Sequence, residues 1–154
     1  MPTPFESATL NLKLFEMRRE PVLREARQWF LMEFTPESFA ELVELAGGDR
    51  NKDFRTVLSY WEMAASLVTT GAIDAQAFLA AHNEFVATFS KIQPFLAETR
   101  AAIGEPQLCE HMEAVMKMAP DAEATMKRRR EKIREAAKLR AQVKLAAEAG
   151  RQKD

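Results

Sequence analysis

The sequence predicts an all-α fold, a helical bundle built on a long antiparallel helical hairpin, with an extended basic C-terminal helix. Three observations carry this reading. Two apolar seams with a period of about 3.5 residues flank a short connection: Phe54, Leu58, Trp61, Ala65 and Val68 before it, then Phe78, His82, Phe85, Phe89, Ile92 and Leu96 after it. No segment alternates with the period of two that a half-buried strand requires. Glycine and proline number only 5 and 7, so helices are interrupted rarely and at definite places.

The elements follow in order. Phe5, Ala8, Leu12 and Phe15 recur at helical spacing and predict a first helix over about 6–20. Pro21 opens a second helix or kinks a longer one, and Val22, Leu23, Ala26, Trp29, Phe30 and Phe34 form its broad apolar face. Thr35-Pro36 predicts a restart, a capping hydroxyl followed by proline at the first helical position. The short helix so begun would bury Phe39, Leu42, Val43 and Ala46 and stop at Gly47-Gly48.

The hairpin arms are predicted at about 52–70 and 75–103, with Gly71 ending the first and Asp74 capping the second. The connection is short, so the arms should be antiparallel. Counting outward from it places Trp61 level with Phe85 and Phe54 level with Ile92. Pro94 should bend the second arm near 90–94. Gly104 ends that arm. Glu105-Pro106 predicts a further helix with Leu108, Cys109, Met112, Val115, Met116 and Ala119 inward, broken again at Pro120. The remainder is rich in Ala, Arg, Lys and Glu and predicts a helix whose apolar stripe (Met126, Ile133, Ala136, Ala137, Val143, Ala147) is too thin to dock firmly. The expected organisation is a helical body over 1–120 and a basic helix or tail over 121–154.

The central stretch resembles a family of small bacterial helical proteins with no assigned function. The residues carrying the resemblance are Arg55, Tyr60-Trp61-Glu62, Gly71 with Ile73-Asp74, and Pro94 followed by Arg100, within about 50–115. The resemblance implies an all-α fold and a bacterial origin, and no known chemistry. Some members begin with a membrane-spanning helix. In this chain no apolar run of the roughly 18 residues needed to span occurs, and the basic tail lies outside the pattern.

A chain of 154 residues suits one domain, and its 47% hydrophobic and 29% charged composition is that of a globular protein. Residues 1–20 lack the organisation of a secretory signal, and the lone Cys109 allows no intramolecular disulfide, so a cytoplasmic location is expected. The net charge of −1 hides an asymmetry: 1–120 holds 11 Lys/Arg against 17 Asp/Glu (−6), and 121–154 holds 11 against 6 (+5).

Chemistry is sparse. Leu79 and Leu108 stand three residues before His82 and His111, so the Glu-x-x-His pairs of a di-iron bundle are missing. Cys109 and His111 are two apart, which on a helix points them to opposite sides. Cys109 lies on an apolar face, where an inert buried thiol is expected. The glycines form no phosphate loop. No catalytic residue, cofactor or metal is expected. Glu62 and His82 remain as candidate ligand or polar-network residues. His82 sits on an apolar seam and should be buried, bonded to Glu62 or Ser66 of the preceding helix. Glu62 borders the same seam and either pairs with Arg55 two turns away or lines a cleft.

The strongest partner signal is basic. Lys127, Arg128, Arg129, Arg130, Lys132 and Arg134 are candidate contacts to phosphate or to an acidic partner. No aromatic residue accompanies them for base stacking or membrane anchoring. The expected function is a non-enzymatic binding or scaffold protein that self-associates as a homo-oligomer. The alternative is a nucleic-acid accessory protein acting through the basic helix.

Overall fold

The computed structural model of the chain describes residues 1–151, and among them there is helix and no strand. Helix α1 spans Pro4–Met17, α2 Pro21–Met32, α3 Phe39–Ala46, α4 Asn51–Thr69, α5 Ala75–Ala81, α6 Asn83–Ile92, α7 Leu96–Ile103, α8 Glu110–Lys117 and α9 Ala122–Arg151.

Local chemistry sets most of the starts. Thr3 and Glu6 form a reciprocal capping box on α1. Pro21 occupies the first turn of α2, and the Glu20 carboxylate accepts from Leu23 N at 2.9 Å. The restart expected at Thr35-Pro36 does not occur. Pro36 is buried, the chain stays irregular past it, and Ser38 caps α3 by accepting from Glu41 N. Val43 faces solvent on that short helix.

The α4 arm and the turn after it follow the sequence closely. Gly71 takes φ +81°, and Ala72 and Ile73 both donate to Leu67 O, at 2.8 and 3.0 Å. This closes the end of α4 in a left-handed step that suits glycine. Asp74 then accepts from Ala77 N at the start of α5.

The second arm is not one helix over 75–103. His82 takes φ −124° and ψ 63° and divides it into α5 and α6. The two halves serve different neighbours: α5 lies along α1, while α6 lies chiefly along α9. A straight rod cannot reach both. A single 3-10 turn over Gln93–Phe95, at Pro94, makes the second bend. The seam pairing holds near the connection, where Trp61 meets Phe85 and His82, each with ring centroids 5.7 Å apart. Farther out it fails. Phe54 stacks on Phe30 of α2 and meets Phe34, just past α2, at a tilt, and the chief backbone neighbours of α4 are α2 and α8.

Helix α8 starts at Glu110, later than Glu105-Pro106 suggests, after Cys109 in a left-handed conformation of φ +57°. Its cap comes from elsewhere in the chain. Glu62 on α4 accepts from His111 N and Met112 N, both at 3.0 Å, filling the first turn that no local side chain fills. Arg100 holds the preceding loop by donating twice to Leu108 O.

The C-terminal helix divides in two. Up to about Arg140 it lies against the body: Met126 is buried, Ile133 and Ala137 are half-buried, and α6 runs alongside. The expectation that the whole tail makes few contacts therefore fails for this half. Arg129 and Arg130 are half-buried beside these apolar residues, so an apolar stripe alone underestimates the inward side. From residue 141 to 151 every residue is exposed.

Candidate functional site

Glu62 and His82 do not form a common site. Glu62 is taken up in capping α8, and Arg55 is exposed, without an ion pair to it. His82 is buried as expected, at 1% exposure, but its partner is not on α4. Its ring Nε2 lies 3.0 Å from Asn11 Oδ1 on α1. Burial, reinforced by the nearby Arg18 charge, pushes His82 down to about 4, so the ring is neutral near pH 7.

A buried charge cluster that the sequence does not announce stands behind His82. Glu84 takes both Arg27 and Arg18, with Arg27 gripping it through two nitrogens, and Arg27 also donates to Arg18 O. The Arg18 guanidinium lies over the Trp61 ring, 5.6 Å from its centre. Tyr60 donates to Leu14 O at 2.6 Å, and burial pushes its phenol up to about 12. Two arginines balanced mainly by one carboxylate tie α1 and α2 to α6. Glu84 is 57 residues from Arg27 and 66 from Arg18, so no local spacing could have revealed the cluster.

Helix α1 turns its apolar seam outward. Its buried positions are Ser7 and Leu14, while Phe5, Leu12 and Phe15 are 79%, 65% and 53% exposed. Polar geometry decides the rotation. Ser7 Oγ accepts from Asp74 N at 3.1 Å, Asn11 reaches His82, and Leu14 O receives Tyr60. The outward seam borders a cleft of about 680 Å³ between α1 and α5, with Ala8, Leu12, Phe15, Ala77 and Ala81 on its walls and Asn11 and His82 also lining it.

The candidate basic residues diverge. Lys127, Arg128 and Lys132 are exposed, and Arg129 is half-buried. Arg130 turns inward and donates to Ser90 O at 3.3 Å and to Gln93 Oε1 at 3.2 Å. Arg134 reaches Glu37 at 3.8 Å. Both line a small cavity with Lys91, a buried residue that the apolar seam of its helix does not include. Lys91 Nζ donates to Phe30 O at 2.7 Å and Leu31 O at 3.0 Å, carbonyls near the C-terminal end of α2. Burial, with a contribution from Arg140, pushes Lys91 down to about 7. Cys109 is buried, and its thiol is pushed up to about 12 by burial, so it is not a thiolate at neutral pH.

The family described as Domain of unknown function (DUF4760) matches residues 4–118. The chain belongs to the DUF4760 family. No curated protein and no solved structure matches it. The DUF4760 match begins at the first residue of α1 and ends just past α8, so α9 and its basic residues lie beyond it. The outward seam of α1 and the α1–α5 cleft belong to the DUF4760 region itself. Among the described residues, no group of three or more His, Cys, Asp or Glu side chains converges, and no helix is long and apolar enough to cross a membrane.

Proposed function

We propose that this protein is a non-enzymatic helical scaffold that self-associates through α1. The observation that carries the reading is the outward seam of Phe5, Ala8, Leu12 and Phe15 beside an apolar cleft. Its 3-4-3 spacing is the pattern by which one helix packs against another, and among the described residues no helix covers it. A second copy of α1 fits the pattern. In an antiparallel pair about a two-fold axis, Phe5 lies opposite Phe15 of the partner subunit, and Ala8 lies opposite Leu12 of the partner subunit. The seam is thus complementary to itself, as a two-fold interface requires. A membrane surface fits less well. Residues 1–20 carry Lys13, Arg18 and Arg19 against Glu6, Glu16 and Glu20, which leaves no excess of basic charge to draw the helix to anionic lipid.

The alternative, nucleic-acid binding through α9, has weaker support. Arg130 and Arg134 are engaged with the body, and no aromatic residue stands among the exposed cations. Sedimentation velocity over a wide concentration range tests the leading reading. The wild-type chain should dimerise, and Leu12→Glu should be monomeric with unchanged helicity, because Leu12 is solvent-facing within one chain. A wild-type chain that stays monomeric at the highest concentration would overturn the proposal. So would co-flotation of the monomer with anionic vesicles, which would assign the seam to lipid.

A further inference from the structure

We propose that the cavity bounded by the α2–α3 connection, α6 and α9 is a binding site for a phosphate-sized oxyanion. The cavity measures about 150 Å³ and is lined by Thr35, Glu37, Lys91, Arg130 and Arg134 among others. That is about five times the liquid volume of one water, room for a five-atom tetrahedral oxyanion and too little for a nucleotide.

The charges lining it do not balance. With Lys91 protonated, Lys91, Arg130 and Arg134 bring three positive charges, and Glu37 is the one carboxylate among the lining residues. Glu37 is exposed and meets Arg134 at the rim. Among the described residues, no carboxylate comes within salt-bridge distance of Lys91 or Arg130. Lys91 is only 4% exposed, so its charge is largely shielded from water. A buried cation without a counter-charge is costly, and a dianion would neutralise the net +2 of the site. The two α2 carbonyls explain why Lys91 is held in place. Ser90 O and Gln93 Oε1 likewise hold Arg130, but these neutral acceptors leave the charges of Lys91 and Arg130 without a counter-ion. Arginine forks match tetrahedral oxyanions in geometry, and a lysine adds a point charge.

The occupant should depend on pH through Lys91. Glu37 on the connection and Arg130 and Arg134 on α9 share the cavity with Lys91, and Arg140 on α9 adds its charge to the field at the ammonium. Burial leaves Lys91 titrating near 7, and only the charged form favours an anion.

Isothermal titration of the full chain with sulfate tests this, because sulfate keeps its charge across the range. With a group at about 7, raising the pH from about 6 to about 8.5 reduces the charged fraction, and hence the affinity, roughly thirtyfold. Binding at neutral pH should also take up protons. Lys91→Met should abolish the heat, and Arg130→Gln should weaken binding about tenfold or more. Arg128→Gln makes the same charge change on the exposed side of α9 and should change binding less than about twofold. Inorganic phosphate and glycerol phosphate then separate a free oxyanion from a phosphate-ester terminus. Absent sulfate binding, affinity indifferent to pH, or an Arg128→Gln loss equal to that of Arg130→Gln would overturn the site.

Discussion

Acidification isolates the contribution of His82 to stability. In the folded chain the ring titrates near 4, against 6.5 for a free imidazole, because it is buried and faces the Arg18 charge. The neutral ring is the form the fold accepts. Above pH 6.5 both folded and unfolded chains hold it neutral, and its contribution to stability is complete. As the pH falls from 6.5 towards 4 the unfolded chain takes up the proton first, and that stability is lost. The difference between the two values is worth roughly 3 kcal/mol. Other groups titrate in the same window, carboxylates above all, so the measurement is a difference. Urea unfolding of the wild type and of His82→Gln should be followed from about pH 7 to pH 4, the window set by these two values. Glutamine cannot take up a proton there, so the wild-type chain should lose about 3 kcal/mol more than the variant across it. A difference curve that changes by less than about 1 kcal/mol would refute the argument. It would mean that His82 becomes charged in place, with solvent or Glu84 compensating.

Other outcomes follow from the packing. Trp61→Ala should cost roughly 3–5 kcal/mol in chemical denaturation, since the ring is fully buried between His82, Phe85 and Tyr60. Glu62→Ala should cost about 2 kcal/mol, and hydrogen exchange should quicken at the His111 and Met112 amides before it does in α4. Ending the chain after Arg140 should leave the melting temperature nearly unchanged, because residues 141 to 151 are exposed throughout. Ending it after Pro120 should destabilise the body, by about 2–5 kcal/mol from the loss of buried Met126 alone, while leaving it folded.

The local grammar of this chain was open to reading because it depends on neighbours a few residues away. The α4 arm, its glycine stop and the Asp74 cap all rest on such short-range geometry. So does the 3-10 bend at Pro94. Burial of His82 was legible from its place on an apolar seam, and burial of Trp61 likewise. The partner of His82 was not, because Asn11 lies 71 residues away on a helix whose rotation the sequence leaves open.

An amphipathic pattern fixes which residues share a face, and it does not say which face turns inward. For α1 the polar requirements of the core, and not the apolar seam, set the rotation. The Asp74 amide, the Tyr60 hydroxyl and the His82 ring are all buried or half-buried groups needing partners, and α1 supplies them from Ser7, Leu14 and Asn11. Leaving such groups unpaired is costly, whereas an exposed apolar seam can be covered by another chain. The α9 cations show the same limit in reverse. Composition established a basic helix, but only the packing of α6 against it brought Arg130 and Arg134 to the cavity that Lys91 lines and left Lys127, Arg128 and Lys132 in water. Short-range propensity determined that this chain is helical and where α4 stops, while the break at His82 and the start of α8 came with the tertiary structure. Desolvation of polar and charged groups, a property of the assembled core, decided which surfaces remained free to act.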